Sequence, residues 1–225
     1  MTGKQLQEAR LSKGWTQNEL ADRLQLSQPY LSLLEKGTRS MPDKLSRSVV
    51  SLLGVSPENL PFEAAPFAAA NEESLAQDLA GLGYPGYAYL RRARKRNPAQ
   101  VLLLALRKND LDSRLTEALP WVVARYPQLD WDWLFREAKV SEVQNRLGYV
   151  TALARKMAEN RDAALASRLS AHELVLDRAR LAREDTLCHD SLSTAERNWL
   201  RGARPLEARH WNLLTDLTVE QLTYD

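Results

Sequence analysis

In its first sixty residues the chain is punctuated by helix stops and starts so closely that no element there can exceed a few turns. A first helix is expected over residues 3–13, burying Leu6, Ala9 and Leu11, and Gly14 ends it by accepting a left-handed backbone. Thr16 follows as an N-cap, with Glu19 three residues on to complete a capping box. Leu20, Ala21 and Leu24 form the inner face of that second helix. Ser27 caps a third, whose Leu31 and Leu34 point inward before Gly37 closes it. A fourth covers about residues 42–53. Ser56 caps a short fifth, with Pro57 at the first helical position, where its missing N–H costs nothing. Five short helices, each with one apolar face, pack into one compact bundle.

Helical spacing of apolar residues continues through the rest of the chain, and no stretch alternates with period two for long. Residues 63–72 hold few anchors and one proline, and read as a linker. Beyond it, helices are expected over about 73–80, 86–96, 98–107 (capped by Asn97) and 111–126, the last bent or broken by Pro120. Asp130 caps a helix holding Trp131, Trp133, Leu134 and Phe135; longer helices follow over 141–160 and 162–183. Shorter ones start at Ser193 (a second capping box with Glu196), Pro205 and Thr218. The expected fold class is therefore all-α: a five-helix domain over 1–62 and a larger helical domain over 73–225.

Nothing in the composition argues otherwise. At 225 residues, 44% of them hydrophobic and 27% charged, the chain has the balance of a soluble globular protein of one or two domains. No run approaches the roughly eighteen apolar residues of a membrane span, and the N-terminus does not resemble a signal peptide. Cys188 is the single cysteine, which excludes an intramolecular disulfide and suits a reducing compartment; a cytoplasmic protein with no membrane partner is expected. The net charge of +2 says little about partners, so its distribution matters more. Residues 91–114 carry eight basic residues against Asp110 and Asp112. Within them Arg91, Arg92, Arg94, Lys95 and Arg96 follow Tyr84, Tyr87 and Tyr89, interleaving aromatic and basic groups. That run is either a secondary patch for DNA or an acidic partner, or a solvated helix face of snorkelling arginines.

The string Gly14-Trp15-Thr16-Gln17-Asn18-Glu19-Leu20-Ala21, followed by Leu26-Ser27-Gln28-Pro29-Tyr30-Leu31-Ser32-Leu33-Leu34-Glu35-Lys36-Gly37, closely resembles the lambda-repressor-like (Xre/Cro) helix-turn-helix regulators. The resemblance covers residues 3–62. It implies that the third helix lies in the major groove of duplex DNA with its N-terminal side chains at base edges. Carried over position by position, Gln28 is the leading base reader, since a carboxamide pairs with both N6 and N7 of adenine; Ser32 and Leu33 face the groove beyond it. Gln17, Asn18, Ser27, Tyr30, Lys36, Arg39 and Lys44 become phosphate contacts, which set register without reading sequence. Arg10 and Glu35 match a buried ion pair of the family. Two departures stand out. Gln25 occupies a turn where many relatives carry glycine, implying a left-handed residue at modest cost or a slightly different turn, and Pro29 offers no side-chain hydrogen bond to a base.

The resemblance further implies a homodimer on an operator of two half-sites, with the helical residues 73–225 supplying dimerisation, an effector site or a partner surface. Arg146-Leu147-Gly148-Tyr149 resembles antitoxins of the abortive-infection (AbiE-like) kind, which would make a cognate toxin the partner and the protein an autoregulating antitoxin. A scaffold that binds no DNA is the third reading. Trp131, Trp133 and Phe135 are expected in the core, with an interface as the alternative. No enzyme is expected: His172, His189 and His210 are scattered without metal-site spacing, and Cys188-His189 are neighbours in sequence rather than a facing pair. The glycines of residues 81–86 surround a proline and open no strand-to-helix unit, so no cofactor is expected either.

Overall fold

The computed structural model describes residues 1–63, 70–91 and 93–222. The chain divides into two compact units, Met1–Ala64 and Ala65–Asp225.

The first unit holds α1 (Gly3–Ser12), α2 (Gln17–Leu24), α3 (Gln28–Glu35), α4 (Asp43–Leu53) and a 3₁₀ turn, Pro57–Asn59. Its boundaries follow local capping chemistry. Thr16 Oγ1 accepts the Glu19 N–H at 3.2 Å while Glu19 Oε2 accepts the Thr16 N–H at 2.7 Å, and Ser27 Oγ accepts the Tyr30 N–H at 3.4 Å. A further capping box, Thr2 with Gln5, opens α1. At Ser56 the hydroxyl donates to Glu58 Oε2 instead of capping, and the fifth helix is one 3₁₀ turn. Gln25 sits in the left-handed region, with φ 56° and ψ 43°, and turns the chain from α2 into α3.

Leu6, Leu20, Ala21, Leu31, Leu34, Val49 and Leu53 make the core of this unit, each buried leucine contributing about 1.5–3 kcal/mol. Leu11, expected among them, is exposed. One turn after Leu6 the inward position falls on Arg10, and the next residue is rotated about 100° away.

The second unit contains α5 (Glu72–Leu82), a 3₁₀ turn (Pro85–Tyr87), α6 (Pro98–Leu106), α7 (Ser113–Arg125), α8 (Trp131–Val140), α9 (Gln144–Glu159), α10 (Ala163–Asp177), α11 (Thr194–Ala203) and α12 (Leu206–His210). A two-residue parallel pair, β1 (Asp185–Thr186) with β2 (Leu213–Leu214), ties the C-terminal segments together. α9 runs through the middle: every residue from Gln144 to Ala154 is buried, and α7 and α10 pack against it. No helix among the described residues is long and apolar enough to cross a membrane.

Several sequence expectations need correction here. The linker is shorter than 63–72. Glu63 Oε1 pairs with Arg47 at 3.2 Å in the first unit, whereas Ala70 is buried and Asn71 caps α5 in the second. Residues 64–69, the middle of the expected linker, lie outside the described residues. Among the described residues of 86–96 the expected helix does not form; only the 3₁₀ turn Pro85–Tyr87 reaches into this range. Buried Asp78 on α5 draws Arg96 into an ion pair at 2.7 Å, and the Arg94 N–H donates to the Gln77 carbonyl at 3.1 Å. This extended segment crosses α5 at Gly81, where an added Cβ would lie 1.9 Å from the Arg94 carbonyl oxygen. A tertiary partner outweighs local helix preference. α7 runs unbroken through Pro120. α9 begins at Gln144 instead of 141, after Glu142 takes a left-handed backbone, and α10 stops at Asp177.

The string Arg146-Leu147-Gly148-Tyr149 is core. Arg146 reaches Asp185 twice (Nε–Oδ2 2.7 Å, Nη2–Oδ1 2.8 Å) and donates through Nη1 to the Leu106 and Lys108 carbonyls, fastening β1 to the end of α6. Tyr149 Oη donates to the Leu217 carbonyl. At Gly148 an added Cβ would lie 2.3 Å from the Trp211 ring, and that indole is 1% exposed. Gly148→Ala gains about 1 kcal/mol of helix propensity but forces a buried ring to move, so a net loss of about 1–2 kcal/mol is expected from denaturant unfolding. A gain in stability would show that Trp211 gives way freely.

Trp131 and Leu134 are buried, with Phe135 and Trp133 half-buried beside them. His172 of α10 stacks on Trp131, ring centroids 4.1 Å apart at 14°, and burial pushes its pKa below the ordinary histidine value, so it stacks as a neutral ring.

Candidate nucleic-acid interface

α2 and α3 are the two motif helices, and both open with a glutamine. Gln17 is the first residue of α2 and Gln28 the first of α3, each directly after its cap. The structure joins their side chains. Gln28 Nε2 donates to Gln17 Oε1 at 2.6 Å, and Gln17 Nε2 donates to Glu35 Oε2 at 2.8 Å. Glu35 receives Arg10 in a fork, Nε–Oε1 at 2.7 Å and Nη2–Oε2 at 3.1 Å, and Arg10 Nη1 donates to the Trp15 carbonyl at 2.6 Å. Arg10 and Glu35 side chains are only 7% and 2% exposed, so the pair is anchored under the surface. Hydrogen bonding to Glu35 raises the Arg10 pKa above the ordinary guanidinium value, keeping the charge fixed. A buried charge pair thus holds Gln17, and Gln17 holds Gln28 at the N-terminal end of α3.

The chemistry of this relay leaves capacity outward. A carboxamide has two N–H donors and one acceptor oxygen. Gln28 commits one donor to Gln17 and keeps the second N–H and Oε1. Gln17 has both ends of its amide engaged, which differs from an amide aimed directly at phosphate; its backbone N–H, in the first turn of α2, remains at the helix's positive end.

Of the other residues singled out from sequence, Leu33 is exposed and Ser32 half-buried on α3. Asn18 is exposed at the second position of α2, and Ser27 is engaged as the α3 cap. Tyr30 is half-buried against the core, with the Arg39 guanidinium 5.9 Å from its ring centroid. Lys36, Arg39 and Lys44 are exposed, at the C-cap of α3, in the loop and in the first turn of α4. Sequence reasoning placed Gln17 and the Arg10–Glu35 pair separately. Their union with Gln28 lies in contacts eleven and more residues apart, which no local pattern encodes.

The basic run of the second unit does not survive as a continuous patch. Arg96 is buried on Asp78, and Arg94 Nε lies 3.9 Å from the same carboxylate. The reason is that a fully buried carboxylate needs a cation beside it. Arg91 and Lys95 are exposed, and Arg92 lies outside the described residues. Cys188 is buried, and burial pushes its thiol up to about 12, which disfavours the thiolate at neutral pH; neighbouring His189 is exposed. No group of side chains among the described residues could hold a metal ion.

Residues 6–60 match the helix-turn-helix family model, about a quarter of the chain. No curated protein and no solved structure matches the chain, and the AbiE-like resemblance is not shown by any of the comparisons. Over residues 6–60 the chain is a helix-turn-helix domain of the Xre/lambda-repressor-like type, the fold of DNA-binding transcription regulators.

Proposed function

We propose that the chain is a sequence-specific regulator that binds an inverted-repeat operator as a homodimer, places α3 in the major groove and represses its own transcription. The observation that carries this reading is the relay from Arg10 through Glu35 and Gln17 to Gln28. It presents a carboxamide whose free N–H and oxygen match N7 and N6 of adenine, with its rotamer already fixed. Exposed Leu33 can meet a thymine methyl. Lys36, Arg39 and Lys44 with the N-terminal end of α2 supply phosphate contacts. One eight-residue helix reads too few bases to select a site alone, which is the argument for two heads about 34 Å apart on one face of the duplex. Repression is what the resemblance implies. A toxin-binding role finds no support in Arg146-Leu147-Gly148-Tyr149, whose side chains are occupied in the core.

Selection from a random duplex pool tests the proposal. Enrichment of a twofold-symmetric sequence with half-sites one helical turn apart is expected; a pool that stays random, or enrichment of an asymmetric single half-site, overturns specific dimeric binding. Affinity for the selected duplex should fall steeply with salt, and replacing Lys36, Arg39 or Lys44 with alanine should lower the salt slope by about one each, uniformly across sequences. An unchanged slope in all three removes them from the phosphate contacts.

A further inference from the structure

Apart from the helix-turn-helix domain, the second unit holds a pocket of about 460 Å³ between the start of α7, the loop after β1, α11 and the segment after β2. That is the size of a small-molecule site. Its floor is apolar, with Leu187, Leu200 and Leu214 buried. Trp199 of α11 stands at the mouth, 61% exposed, and no other ring or cation stacks on it among the described residues. An indole left open to water beside an apolar hollow is costly for a folded chain and useful for a ligand.

The carboxylates dominate the charge around this hollow. Glu117, Glu196 and Asp216 line it together with the His189 imidazole, and neither a lysine nor an arginine does. Arg197, next along α11, is turned to the Leu192 and Asp190 carbonyls, at 3.1 and 2.6 Å. Glu196 accepts the Ser193 N–H at 2.7 Å as part of the α11 capping box, which fixes that carboxylate at the wall. An anion entering here would meet three carboxylates against one imidazole. A neutral apolar molecule would use the floor but gain nothing from Asp216. A cation uses both.

We propose that this pocket binds a small organic monocation with an apolar body, the body resting on the leucine floor and the ammonium lying between the face of Trp199 and Asp216. An ammonium over an indole gains from the ring quadrupole, and a carboxylate on the far side adds Coulomb attraction at a site partly shielded from water. The inference stands on the second unit alone and does not depend on what α3 binds.

Calorimetric titration of the full chain with three probes sharing one body separates the outcomes: phenylbutylamine, phenylbutanol and phenylbutyrate. Saturable binding of the amine is expected, weaker binding of the alcohol, and the weakest of the carboxylate. Trp199→Ala should weaken the amine by about three- to tenfold. Asp216→Asn should weaken it by a similar factor and leave the alcohol unchanged. Both side chains are exposed, so unchanged melting verifies that the variants fold. Failure of the amine to saturate at millimolar concentration, equal affinity for all three probes, or amine binding untouched by both substitutions would overturn the proposal.

Discussion

Arg10→Leu is expected to destabilise the first unit by about 3–5 kcal/mol, a large fraction of what a domain of this size has in total. The carboxylate of Glu35 is 2% exposed and takes two of its hydrogen bonds from Arg10. With the guanidinium gone, a buried negative charge keeps only the neutral amide of Gln17. The Trp15 carbonyl loses its donor as well, loosening the turn between α1 and α2. Calorimetry of the full chain should show the transition of the first unit moved down by tens of degrees, or absent at room temperature, while the transition of the second unit stays in place. Equal melting of the variant and the parent would mean that the charges are not paired in solution. A double variant, Arg10→Leu with Glu35→Leu, distinguishes charge from shape. Replacing both partners of a buried pair is often neutral, so much of the stability should return. Full affinity for the operator should not return, because Gln17 then has no acceptor to hold it.

That separation between folding and recognition also explains what could be read from sequence. In the first unit each helix is shorter than four turns and α1, α2 and α3 carry their own side-chain caps, so Thr16, Ser27 and Gly37 set the boundaries within reach of a local pattern. Gln25 stands where many relatives carry glycine, and of the two conformations that position allows it takes the left-handed one. Leu11 was misplaced since hydrophobicity alone cannot tell an inward arginine from an outward leucine on neighbouring positions. The second unit is less legible for a different reason. Its decisive groups are buried polar pairs between distant segments: Asp78 with Arg96, Arg146 with Asp185, Asn145 with the Leu181 backbone. Asp78 turned a plausible helix into an extended strap, and nothing between residues 86 and 96 announces it. The Trp199 pocket assembles from four separated stretches and has no sequence signature at all. The candidate DNA site lies between these cases: its residues were legible one by one, and their hydrogen-bonded order was not.

Gln28→Ala should cost about 1–3 kcal/mol of base discrimination per head, roughly a five- to 150-fold loss of specific affinity, with non-specific binding nearly unchanged. The side chain is half-buried, at the first residue of α3, and it donates to Gln17, so its removal leaves the core and the α3 cap intact. Base preference at one position of each half-site should flatten, while preferences elsewhere persist. Gln17→Ala offers the comparison. It removes the support and not the reader, so Gln28 must lose rotamer freedom on binding that it had already lost in the parent, a penalty of up to about 1.5–2 kcal/mol. Affinity should then fall with the base preference kept. The double variant should be less impaired than the sum, because the support has no value once the reader is gone. If Gln28→Ala retains the full preference at every position of the selected operator, α3 does not lead with this residue. If Gln17→Ala flattens the same position as strongly as Gln28→Ala, Gln17 itself reaches the bases and the relay runs in a different order.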